Sequence, residues 1–150
     1  MRANAGALTS TLLMSVLLTG CADTTEDYCS ALEGQEQALI DLGDGGDTPQ
    51  TDLFGESLAI FEDLREQAPD DIVDEWDTFL FAWEGVAEAF DQAGVDPQDY
   101  DPDDSSNGVS QEDTQAIEDS ARELGSPRVV EAGDGIEAHA RDVCKVNLGL

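Results

Sequence analysis

Positive charge is nearly missing from this chain, which has 6 Lys+Arg and one histidine against 35 Asp+Glu in 150 residues, a formal net charge of -29. Binding to nucleic acid requires a basic footprint that displaces counterions from phosphate, so that class is excluded. With His139 as the single histidine there is no His-x-x-x-His pair, and neither a glycine-rich phosphate loop nor a Gly-x-Ser-x-Gly elbow occurs. Cysteine is limited to three residues and never falls as Cys-x-x-Cys, which removes the usual thiol-redox motif. Beyond residue 20 there is no long apolar run, so nothing downstream reads as a membrane-spanning helix.

What is present starts with an unusual first segment. Arg2 precedes an apolar stretch from Ala7 to Thr19, and no acid occurs before residue 21. A run of about 13 residues is short of the roughly 20 that cross a hydrocarbon core, and its order is that of a signal peptide. The stretch closes on Leu18-Thr19-Gly20-Cys21. This resembles the lipobox of bacterial lipoproteins: an aliphatic residue, two small residues, then cysteine. The resemblance implies removal of residues 1–20 and a diacylglyceryl group on Cys21. It also implies a membrane-held protein on the extracytoplasmic face, with residues 21–25 as lipidated N-terminus and short tether. An ordinary secretory signal with a chance cysteine is the alternative.

Cleavage would take away Arg2 and no acid, leaving five basic residues against the 35 acids, a formal charge of -30. Such a domain is repelled by anionic headgroups, so acyl chains would supply the attachment at about 0.8 kcal/mol per buried methylene. Cations and basic protein surfaces are the expected partners, and plain solubility is the simpler use of the acids. With Cys21 lipidated, Cys29 and Cys144 remain in a compartment that permits oxidation, and they are expected to pair. Two free thiols are the alternative.

Periodicity after residue 25 is helical. Between Asp70 and Ala93, Ile72, Trp76, Phe79, Trp83, Val86 and Phe90 recur at steps of four and three, widened by Val73, Leu80 and Ala87. That pattern predicts a central helix about 35 Å long, capped by Asp70 or Asp71 and ended by Gly94. Weaker stripes predict helices over 25–42 (Tyr28, Cys29, Leu32, Leu39, Ile40), behind Thr24 or Thr25 as a cap, and over 52–68 (Leu53, Phe54, Leu58, Phe61, Leu64). The stretch Gly43–Pro49 between them reads as a loop. Ser110 with Asp113 three residues on forms a capping-box start for a helix through Ile117, Ala121 and Leu124. Ser126-Pro127 starts the last helix, through Val129, Val130, Ile136, Ala140, Val143 and Cys144. The expected fold is all-α, a four- or five-helix bundle over 26–147 closed by one disulfide.

Tyr28-Cys29, the Trp- and Phe-rich middle helix, Ser126-Pro127 and Cys144 resemble small exported helical proteins of actinobacteria. That resemblance implies fold and address but no activity, cofactor or functional residue. Four further readings come from the residues alone. His139, beside Glu137, Arg141 and Asp142, reads as an exposed helix position. Asp101, Asp103, Ser105, Asn107 and Glu112 partly match the oxygen spacing of a calcium loop, although Ser106 stands where that loop has glycine and Gly108 where it has an aliphatic residue. Trp76 and Trp83, seven residues apart on the main stripe, read as core, with a ligand pocket as the alternative. Carboxylates are too abundant for any pair to stand out as general acid and base. The expected function is therefore a non-enzymatic envelope lipoprotein without a cofactor that binds a partner protein or ligand. A calcium-binding protein or a carboxylate-dependent hydrolase is the alternative.

Overall fold

A computed structural model describes residues 21–43, 53–102 and 108–148. Among these residues there are five α-helices and no strand: α1 Cys21–Gly43, α2 Leu53–Gln67, α3 Val73–Ala93, α4 Gln111–Leu124 and α5 Pro127–His139. A π turn, Ala140–Cys144, extends α5. The all-α bundle closed by one disulfide is thus the fold. Residues 1–20 and most of the Gly43–Pro49 loop lie outside the described residues. No helix among those described is long and apolar enough to cross a membrane.

Local chemistry sets several helix ends. Ser110 caps α4 by accepting from the Asp113 N–H at 3.1 Å, and its own hydroxyl donates to Asp113 Oδ2 at 2.6 Å. Ser126 caps α5 and Pro127 occupies its first turn. Gly94 ends α3 at φ 65°, in the left-handed region where a Cβ would be strained.

Two helix starts differ from expectation. α1 begins at Cys21 and takes in the stretch expected as a tether, so Thr24 and Thr25 lie inside it. No glycine or proline interrupts residues 21–33, and acids early in the helix suit the positive end of its dipole. At the start of α3 neither Asp70 nor Asp71 caps. The chain instead makes a turn in which Ile72 N–H donates to Pro69 O at 3.0 Å, and Ile72 stands at the N-cap position without a side-chain cap. Burial of Ile72, 2% exposed, holds this start where a carboxylate would otherwise have done so.

α3 is central, packed on α2, α4 and α5, while α1 is packed on α2 and on the π turn. The main core is built from Tyr28, Leu32 and Leu39 of α1, Phe61 and Leu64 of α2, Trp76 and Phe79 of α3, and Val129 and Ile136 of α5. Each such side chain contributes about 1.5–3 kcal/mol by leaving water. α4 lies along the other flank of α3 and buries only Ile117, while Ala121 is exposed. Val130 and Val143, expected on the inner stripe, face outward at 51% and 48% exposure. Ala140, expected on that stripe, is buried, and so is Ala132, which was not expected there. The tail also enters the core, with Val146 and Leu148 buried and Asn147 N–H reaching Glu36 Oε1 at 3.5 Å.

Candidate functional site

Two places in the bundle bring chemistry-bearing side chains together. The first lies at the end where α1 begins, α3 begins and α5 finishes. There Cys29 and Cys144 are bonded, with their Cα atoms 5.0 Å apart across a sequence separation of 115. The expected pairing is therefore present. Beside it, Trp76 Nε1–H donates to Tyr28 Oη at 2.9 Å, both side chains being fully buried. Burial pushes the Tyr28 phenol up to about 12, opposed by the Trp76 hydrogen bond and reinforced by the negative charge of Asp71.

His139 belongs to this cluster and not to the solvated face expected for it. Its side chain is 11% exposed, its ring centroid is 5.7 Å from that of Tyr28, and its Nδ1 is buried without a hydrogen-bond partner. Nε2 lies 3.7 Å from Asp71 Oδ2, too long for a hydrogen bond. The cause is tertiary: the π turn that follows α5 is bonded to α1 through Cys29–Cys144, and the residue five before Cys144 comes to lie against Tyr28. The π turn contributes by adding a residue to the last turn, so that Cys144 meets Cys29. No periodicity in the sequence signals that extra residue.

The second place is an open groove of about 500 Å³ between α2 and α3, lined by Glu62, Arg65, Glu66, Asp77, Leu80, Phe81 and Glu84. Arg65 Nε donates to Asp77 Oδ1 at 2.6 Å across it. That hydrogen bond holds the Asp77 carboxyl below the usual carboxylate range. Phe81 stands on the rim, 64% exposed, the most exposed large apolar side chain among the described residues. The Arg128 guanidinium of α5 sits 5.9 Å from its ring centroid and is itself paired with Glu123 at 2.7 Å. Sequence reading passed over Phe81. The signal that was there is its offset: two residues beyond Phe79 places it about 200° around the helix, away from the stripe.

The remaining candidates separate. Cys21 is the first residue of α1. Asp101 is exposed before α4, Glu112 is exposed in its first turn, and Asp103, Ser105 and Asn107 lie outside the described residues. Among the described residues no three His, Cys, Asp or Glu side chains are grouped to hold a metal ion. Trp76 is core. Trp83 is half-buried, stacked on Phe54 at 5.2 Å, edge-on to Phe61 at 5.1 Å and 6.0 Å from Phe79, so it is packed among aromatic side chains of α2 and α3. Comparison with known protein families, with curated proteins and with solved structures finds no match.

Proposed function

We propose that this chain is an exported lipoprotein, held to the extracytoplasmic face of a membrane by lipid on Cys21, whose helical domain binds a partner protein and performs no catalysis. The observation that carries the address is the Cys29–Cys144 disulfide in a chain whose first segment ends in Leu18-Thr19-Gly20-Cys21. Stable disulfides belong to oxidising compartments, which such a segment would lead the chain to enter. Helical structure already at Cys21 supports close anchoring. Tyr28 stands seven positions after Cys21, about 10 Å along a helix, so the disulfide end of the bundle is the end nearest the bilayer.

Support for binding over catalysis comes from the titratable groups. Asp77, Asp119 and Glu123 are pulled down by Arg65, Arg122 and Arg128 in surface ion pairs, and Tyr28 is pushed up by burial in the core. Each of these shifts, among the described residues, has a structural cause, an arginine partner or burial in the core. Replacing Cys21 with serine in the producing cell tests the anchor: the protein is expected to leave the membrane fraction and to lose the mass of the lipid. Unchanged fractionation and an unmodified wild-type mass would overturn it.

A further inference from the structure

We infer that the α2–α3 groove is the docking surface for a basic segment of a partner protein, one that lays an apolar side chain on Phe81 and sets lysine or arginine residues against the groove's carboxylates. The inference rests on the reading of the domain as a binding module and is independent of the lipid. Phe81 is the observation that calls for an occupant. A phenylalanine 64% exposed on a helix whose other large side chains turn inward gains from being covered. The buried Leu80 lines the same groove.

Charge selects the occupant. Glu62, Glu66, Asp77 and Glu84 line the groove against two cations: Arg65, which Asp77 already holds, and Arg128, which sits over the Phe81 ring and is paired with Glu123. A second copy of the chain would bring an acidic rim onto an acidic rim within a molecule of net charge -29, and like charges brought together disfavour association. An anionic bilayer is repelled for the same reason. A segment with alternating basic and apolar residues satisfies both features: its cations meet the rim while its apolar residue removes Phe81 from water. Arg65 competes with such a segment for Asp77, so it acts as a built-in brake on binding.

The test uses the full oxidised chain carrying Cys21→Ser, so that lipid plays no part and failure of the anchor is scored separately. The probe is a fluorescent nonapeptide of alternating lysine and leucine, compared by anisotropy with lysine–glycine and glutamate–leucine versions. Saturable binding of the lysine–leucine peptide is expected. Phe81→Ser should weaken it about tenfold or more, in the range of an interface hot spot. Glu62→Gln with Glu84→Gln should also weaken it, whereas Arg65→Gln should tighten it. The pair Glu118→Gln and Glu131→Gln, on α4 and α5, removes equal charge outside the groove and should change affinity little. Circular dichroism checks that each variant stays folded. Equal binding of the lysine–glycine peptide, or no change in Phe81→Ser, would overturn the inference. So would self-association in sedimentation, or binding to phosphatidylglycerol vesicles, that depends on Phe81.

Discussion

Trp76 and Tyr28, 48 residues apart, meet in the core through one hydrogen bond, the indole N–H donating to the phenol oxygen at 2.9 Å. α1 and α3 each pack on α2, and this bond joins them across the bundle. Both groups are shut off from water, so neither has a substitute partner there. Tyr28→Phe should therefore cost about 1–3 kcal/mol, the penalty of leaving the indole N–H unpaired. Urea unfolding followed by tryptophan fluorescence measures it. Trp76→Phe with Tyr28→Phe should cost less than the two single losses added together, because the second change removes a group already orphaned.

Alkali should destabilise the protein through the same residue. The folded Tyr28 phenol is raised to about 12 from an ordinary value near 10, so above pH 10 the unfolded chain releases its proton while the folded chain keeps it. The unfolded state then binds fewer protons, and stability falls as pH rises from 10 to about 12. The loss amounts to about 2–3 kcal/mol at the upper end. Melting temperatures from pH 8 to 12 should show the fall, and Tyr28→Phe should flatten it. An equal slope in both proteins would remove Tyr28 as its source.

Reduction should loosen the whole bundle, since the Cys29–Cys144 bond ties α1 to the π turn over a sequence separation of 115. Paired replacement by alanine should cost about 2–5 kcal/mol, the usual loss when a bridge closing a long loop is removed. Unfolding midpoints with and without a phosphine reductant provide the measurement. Alkylation of the unfolded, unreduced chain should find neither Cys29 nor Cys144 reactive. Two modified thiols at those positions would contradict the bond.

Two glycines should respond in opposite directions. A Cβ on Gly133 meets Phe79 Cε2 at 3.5 Å, an ordinary contact within a helix, so Gly133→Ala should stabilise by up to about 1 kcal/mol through helix propensity. Gly94 has open space around it but a φ of +65°, so Gly94→Ala should destabilise by about 1 kcal/mol. Thermal melts of the two variants compare them directly. If both were neutral, neither backbone preference would be at work.

Signals between residues close in the chain were legible. The Ile72–Phe90 stripe, the left-handed stop at Gly94, the Ser110–Asp113 cap and the Ser126-Pro127 start are decided by side chains and backbone groups within one or two turns. They appear in the structure where the spacing put them. Signals that depend on another element were not. Asp70 and Asp71 had the right chemistry for a cap, yet burial of Ile72 places the turn elsewhere. Val130 and Val143 had the hydrophobicity for the core, but α5 and the π turn present Val129, Ala132, Ile136 and Ala140 inward and leave both valines exposed. At the groove, Phe81 could be read as off the stripe with Asp77 and Glu84 on its own face of α3, while Glu62 and Glu66 could not be placed beside it, because they come from a different helix.

The sequence by itself determined an acidic all-α chain with an apolar first segment and one central helix, and it led to the expectation that Cys29 and Cys144 pair. Periodicity, composition and capping are local properties, and so they survive without knowledge of the fold. Only the tertiary structure decided that His139 is covered by Tyr28, that the tail through Leu148 is core, and that Phe81 stands open above a carboxylate-lined groove. Each of those depends on how helices distant in sequence approach one another. That approach is set by the sum of many packing contacts and one disulfide, which no single stretch of residues encodes.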